Sequence, residues 1–170
     1  MKNLALIILS FFIAQSTFGS YSVPDKSITQ RKLANRTTGT TVGAGGVAIS
    51  GSSGSFSTSS NTPAAVTNMS ITLTTTGRPV FVLVQSDGSG NPCDINPTAN
   101  SNSWLQIYRG STLLGYYAAS SPSSSLFFPG VLSYVDAVSS GTYTYTFKVF
   151  TTTGSASVNI NNCELVAFEL

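Results

Sequence analysis

Acid–base chemistry would have to come from very few side chains. Asp25, Asp87, Asp94, Asp136, Glu164 and Glu169 are the only carboxylates in the 170 residues. Glu164 and Glu169 stand on one apolar stretch, and the period of two along a strand sends them to opposite faces, so they form no pair by themselves. Asp136 with either of them across neighbouring strands stays open. There is no histidine, and a serine without a base to take its proton is a poor nucleophile. The same lack removes the commonest ligand of zinc and of most transition-metal sites. Asp87 and Asp94 invite a calcium reading, yet without a regular run of oxygen ligands around them they suit turn formation better. No enzymatic activity, metal or cofactor is expected, and the two aspartates remain candidates only for contacts to a ligand.

The side chains suited to binding are aromatic. WLQIYR and TLLGYY flank Gly110-Ser111, a hairpin signal. Leu105 and Ile107 then face inward, with Trp104, Gln106 and Tyr108 on the other side. An exposed row of Trp104, Tyr108 and Tyr117 is fit to stack on a sugar ring, although packing against a neighbouring loop or subunit is the simpler use of the same rings.

Several segments must position these groups. Met1-Lys2-Asn3 precedes an uncharged apolar run from Leu4 to Ala14, the pattern of a secretory signal with cleavage after Ser16 or Gly19. A retained anchor or a buried helix fits the same run. Residues 1–19 are thus read as the signal, 20–40 as a short basic stalk and 41–170 as a head domain, in a secreted, periplasmic or cell-surface protein. Without Lys2, seven basic and six acidic residues remain, too even a balance to draw nucleic acid. Only 8% of residues are charged, against about a quarter in a typical soluble domain. Such a surface suits a secreted β protein, or one that hides much of itself in an oligomer. Cys93 and Cys163 are the only cysteines. In an oxidising compartment they most simply form one disulfide, while two separately buried thiols satisfy the same spacing.

SITQRKLA, within the basic segment, has the start of a short helix. Thereafter the sequence reads as strands. VAIS and GSFST suggest two short edge strands around a turn at residues 51–54, and Met69, Ile71 and Leu73 alternate with Ser and Thr. The apolar run Val80 to Val84 follows Gly77-Arg78-Pro79 and is expected to be buried on both faces. Residues 86–102 and 118–125 read as polar loops, and 131–136 as a short strand. GTYTYTFKVF puts Tyr143, Tyr145, Phe147 and Val149 on one face. Ala156, Val158 and Ile160 alternate next, and Asn161-Asn162 turns the chain into CELVAFEL, so the last thirty residues or so read as a meander. About ten antiparallel strands with no amphipathic helix predict an all-β sandwich or barrel, with the C-terminal strand central.

That last strand is apolar on both sides, since Val166, Phe168 and Leu170 oppose Leu165 and Ala167. A lone sandwich needs only one apolar face, so the second is free to lie against another subunit, for instance in a ring with a three-fold axis.

GRPVFV, YRG before an apolar strand, a short strand ending in Asp136, SSGTYTYTF and ELVAFEL follow one another in an order that resembles the heads of bacterial and phage tail-fibre-like proteins with a tumour-necrosis-factor-like jelly roll. Their final motif carries a tyrosine where Phe168 stands here, and SITQRKLA resembles their stalk-to-head segment. The resemblance spans residues 27–170. It implies a jelly-roll sandwich assembled as a homotrimer, which makes Tyr143, Tyr145, Phe147, Val166, Phe168 and Leu170 candidates for the subunit contact. Similar trimeric heads, including the mosaic adhesive trimers of predatory bacteria, act as adhesins whose ligand contacts vary and sit on loops. The expected function is a fibre-type adhesin head that binds a glycan or another envelope component through residues 86–102 and 118–125. A structural fibre or coat subunit without a small ligand is the alternative.

Overall fold

The structure is a computed structural model that describes residues 38–122, 126–152 and 156–170. The signal segment and the SITQRKLA helix lie outside the described residues, as does most of the expected stalk.

The strands are β1 (Thr38–Gly39), β2 (Thr41–Val42), β3 (Val47–Ile49), β4 (Ser55–Thr58), β5 (Ala64–Thr76), β6 (Val80–Ser86) and β7 (Asp94–Pro97). They continue with β8 (Ser101–Arg109), β9 (Thr112–Ser121), β10 (Phe128–Pro129), β11 (Leu132–Asp136), β12 (Ser140–Thr151), β13 (Val158–Asn161) and β14 (Cys163–Glu169). One sheet, here called the hairpin sheet, has the order β2-β5-β12-β8-β9. Two further sets, β1-β3-β14-β6-β11 and β10-β7-β13-β4, are stitched end to end. Ser53 N donates to Cys163 O (2.7 Å), Asn162 N to Gly54 O (2.9 Å), Asp87 N to Asn162 O (3.0 Å) and Gly130 N to Cys93 O (2.9 Å). Each of β3/β4, β6/β7, β10/β11 and β13/β14 is therefore one long strand interrupted by a bend, and together they make a single C-terminal sheet.

Counting each bent pair once, the C-terminal sheet reads first, eighth, third, sixth, and the hairpin sheet second, seventh, fourth, fifth. This is jelly-roll wiring. The long strands are antiparallel, and β1 and β2 add short parallel ribbons on β3 and β5.

Alternation explains the core. Met69, Ile71 and Leu73 of β5, Leu105 and Ile107 of β8, and Tyr145, Phe147 and Val149 of β12 face Val80, Val82 and Val84 of β6 and Leu165 and Ala167 of β14; none is more than 1% exposed. Truncating one of the larger of these side chains to alanine costs about 2–5 kcal/mol.

Several expectations are corrected. The last three strands are not a meander: β12 pairs with β5 and β8, whereas β13 pairs with β4 and β7. Period two fixes which face is apolar but not which strand lies alongside. Asn161-Asn162 does not reverse the chain; Asn162, at φ 53°, only bends it. VAIS and GSFST follow each other along one bent strand without pairing, and only the second lies at an edge, since β1 pairs outside β3. The run Val80–Val84 is wholly buried on one face alone, since Phe81 and Leu83 are half-buried. Residues 86–102 contain β7 and the start of β8, and β9 runs on through Ser121. Tyr145 and Phe147 are fully buried core residues of a single chain and offer no surface to a second subunit, whereas Tyr143 packs against that core and stays half-buried.

Candidate binding surfaces

The outer faces of the two sheets differ in chemistry. On the C-terminal sheet, register places Val47, Phe168, Phe81 and Val135 in one row across four strands, with Ile49, Val166 and Leu83 in the next. The rings of Phe81 and Phe168 lie 5.6 Å apart, and Val135 is 51% exposed. Val166, Phe168 and the terminal Leu170, three of the expected contact residues, belong to this apolar side. Its polar end is Gln85, whose Nε2 donates to Glu164 Oε1 at 2.9 Å.

The hairpin sheet turns out Phe150, Trp104 and Ala118 in one row and Lys148, Gln106 and Tyr116 in the next. Trp104 stacks on Phe150 (5.3 Å being its separation from Tyr116, and 6.1 Å from Phe150 at 11° between planes). Lys148 Nζ sits 4.2 Å from the centroid of Tyr108, whose hydroxyl donates to Gln106 Oε1 at 3.2 Å. Beside the rings run three hydroxyl pairs: Ser70 with Thr146 (3.1 Å), Thr72 with Thr144 (3.0 Å) and Thr74 with Thr142 (3.0 Å). Cross-strand pairs of this kind also support the sheet.

Trp104 and Tyr108 thus share the face the sequence assigned to them, and Tyr117 does not. The register of the β8–β9 hairpin shifts by one between Ile107 and Tyr108. That bulge puts Tyr117 opposite Leu105 on the inward-facing side and brings Tyr116, 60% exposed, onto the outer face instead. Without the bulge, the two-residue turn at Gly110-Ser111 would have given the two tyrosines exchanged roles.

Asp87 and Asp94 lie elsewhere, in and beside the C-terminal sheet. Asp87 accepts from Ser52 Oγ and from Ser89 N; the Ser52 hydroxyl first, and Ser89 next, hold its carboxyl below the usual range. Asp94 Oδ1 accepts from Asn161 Nδ2 at 2.8 Å and borders a groove of about 500 Å³ lined by Pro92, Cys93, Phe127, Phe128 and Pro129. The five ligand candidates therefore do not form one site. Among the described residues no three His, Cys, Asp or Glu side chains are placed to hold a metal ion.

The remaining carboxylates are engaged in separate networks. Asp136 accepts from Arg109 Nη1 (2.8 and 2.9 Å) and from Tyr145 Oη (3.0 Å). Burial first, and the charge of Asp136 next, push the Tyr145 phenol well above its ordinary value. Glu169 Oε1 accepts from Thr75 Oγ1, from Thr76 N (2.6 Å) and Oγ1 (2.8 Å), and from Arg78 N (3.3 Å). Neither carboxylate is hydrogen-bonded to the other or to Glu164. The sequence had no signal for the Arg109–Asp136 pair, because the partners lie on different sheets. Cys93 and Cys163 are joined in a disulfide across 70 residues, at the bends of β6/β7 and β13/β14.

No family model and no curated protein matches the chain. Among solved structures, it is similar to the insecticidal delta-endotoxin Cry8Ea1 from Bacillus thuringiensis, with 12% identity and TM-score 0.45 over 77% of this chain and 25% of the toxin. It is also similar to the CBM36-1 domain of a xylanase from the hindgut metagenome of Trinervitermes trinervoides (13% identity, TM-score 0.35, 70% of this chain and 95% of that domain). A third is the carbohydrate-binding module CBM6cm-2 from Cellvibrio mixtus lichenase 5A (12% identity, TM-score 0.31, 71% and 90%). The chain spans only a quarter of the toxin's length. The jelly-roll assignment rests on strand order rather than on these likenesses.

Proposed function

We propose that this chain is the head of a secreted or surface-displayed adhesin that self-associates, three copies about an axis, through the outer face of its C-terminal sheet and binds an envelope ligand with the opposite side. The contrast between the two outer faces carries the reading. The rows Val47–Phe168–Phe81–Val135 and Ile49–Val166–Leu83 make an apolar surface of the kind a monomer rarely leaves to water. A copy of the same chain offers a matching apolar face whose one carboxylate, Glu164, stands at its polar end beside Gln85, and the central β14, which carries the last motif of the tail-fibre-like resemblance, would lie at the middle of such a contact.

Light scattering on the purified chain at micromolar concentration tests this. The expected mass is that of a trimer, and Phe168→Asp, which places a charge in the contact, is expected to yield a folded monomer. A monomeric wild-type chain overturns the reading.

A further inference from the structure

We propose that the outer face of the hairpin sheet is a glycan platform, on which a neutral polysaccharide chain lies flat across Trp104 and Tyr116 with its hydroxyls meeting Gln106 and the neighbouring threonine ladder. The proposal deepens the adhesin reading and rests on it for the biological use of such a face, but not for the binding itself.

Three properties of the face converge on this ligand. The first is its rings. Trp104, Tyr116 and Phe150 form a cluster on a sheet surface that nothing in the sandwich needs, since the core lies on the other side. The C–H face of a sugar is apolar and weakly positive, and a π surface is its natural complement.

The second is polar capacity left unused. Gln106 is only 7% exposed, walled in by Lys148 and Tyr116 on the neighbouring strands. Its carboxamide oxygen accepts from Tyr108. Trp104 Nε1 is buried without a hydrogen-bond partner among the described residues. Unpaired buried donors are costly, so native proteins keep few of them without a purpose. A ligand rich in hydroxyl acceptors satisfies such a donor once the indole edge opens to it. The Thr72–Thr144 and Thr74–Thr142 pairs offer both donors and acceptors a strand or two away.

The third is charge. On β5, β8, β9 and β12 the only charged residues are Arg109 and Lys148, and Arg109 is occupied by Asp136. One cation, already laid on the Tyr108 ring, is too little for a nucleic acid or a highly anionic polymer. Away from the rings the face is Ser and Thr, which gives an apolar protein partner little to bury.

Trp104 is the chain's single tryptophan, so its fluorescence reports on this face directly. The full chain is titrated with cellohexaose, xylohexaose, chitohexaose and mannohexaose while Trp104 emission is followed. At least one is expected to give a saturable change, and Tyr116→Ala, at an exposed position where folding is not at stake, is expected to weaken it about tenfold. The proposal is overturned if none of the four sugars changes the emission, if Tyr116→Ala binds as well as wild type, or if only polygalacturonate or heparin binds. The same titration on Phe168→Asp separates the two readings. A sugar response in the monomer supports the platform whatever the assembly, and a monomeric wild type that still binds sugar sinks the trimer alone.

Discussion

Arg109 and Asp136 form an ion pair across the sandwich, with Nη1 at 2.8 and 2.9 Å from the two carboxylate oxygens. Arg109 ends β8 of the hairpin sheet, and Asp136 ends β11 at the edge of the C-terminal sheet. The Asp136 side chain is 6% exposed and that of Arg109 27%, so removing the acid leaves a partly buried guanidinium without its counter-charge. Asp136→Asn should lower stability by about 2–3 kcal/mol in urea unfolding, below the figure for a fully buried pair because water still reaches Arg109. The double substitution Asp136→Leu with Arg109→Met removes both charges and, made with Tyr145→Phe so that no buried phenol loses its acceptor, should cost markedly less than Asp136→Asn in the same background. If the double variant is the less stable of the two, the pair contributes net stability rather than orientation.

Tyr145 gives a prediction at high pH. Its phenol donates to Asp136 at 3.0 Å, and burial together with that negative charge raises its folded value above the ordinary one. A group raised in the folded state contributes stability that is complete below the unfolded value, about pH 10, and is lost as the pH rises through the folded value. Urea midpoints of the wild type should therefore fall above about pH 10. In Tyr145→Phe that part of the alkaline slope should vanish, although the variant starts lower by about 1 kcal/mol for the lost hydrogen bond. An unchanged slope would mean that Tyr145 titrates as it does in the unfolded chain.

Gly130 lies against the disulfide. A Cβ on it would overlap Cys93 Sγ and come within 3.1 Å of Cys163 Sγ, while its own N–H is held to Cys93 O at 2.9 Å. Gly130→Ala should therefore destabilise the oxidised protein by about 1–3 kcal/mol through crowding. Reduction of the wild type removes a constraint across 70 residues, worth about 4 kcal/mol on the loop-entropy account. Gly130→Ala should lose less than wild type when dithiothreitol is added, because part of the clash leaves with the bond. Equal losses in the two proteins would count against the crowding argument.

Such details mark how far the sequence was legible. Alternation alone gave the inward faces of β5, β8, β12 and β14, because a strand buried on one side writes its orientation into every second residue. It did not reveal that β12 leaves its successor to join the other sheet, since pairing partners share the same period. The candidate site shows the same limit on a smaller scale. Trp104 and Tyr108 were assigned to the correct face, but a one-residue bulge inside the hairpin exchanged Tyr116 for Tyr117, and nothing in TLLGYY distinguishes the two rings beforehand. In sequence, the bends within β3/β4, β6/β7 and β13/β14 look like loops and turns. They carry Gly, Ser, Pro and Asn because the chain must deviate there, and long-range hydrogen bonds decide that it deviates without reversing.

Glu169 fastens the C-terminal strand to the turn between β5 and β6, and its pH dependence can be worked out in sign. Partial burial acts to raise its carboxyl, but the hydrogen bonds from Thr75, Thr76 and Arg78 outweigh it and hold the group below the usual carboxylate range. The folded value is thus lower than the unfolded one. Stability from this linkage is present above the unfolded value and is lost as the pH falls through the folded one. Between about pH 5 and pH 3 the wild-type urea midpoint should drop, and Glu169→Gln should be less stable at neutral pH yet lose less on acidification. Asp87 is depressed as well and contributes a slope of the same sign, so the informative quantity is the difference between the two proteins rather than either slope alone. Parallel acid profiles for wild type and Glu169→Gln would show that the four hydrogen bonds to Oε1 place the carboxylate without favouring its charge.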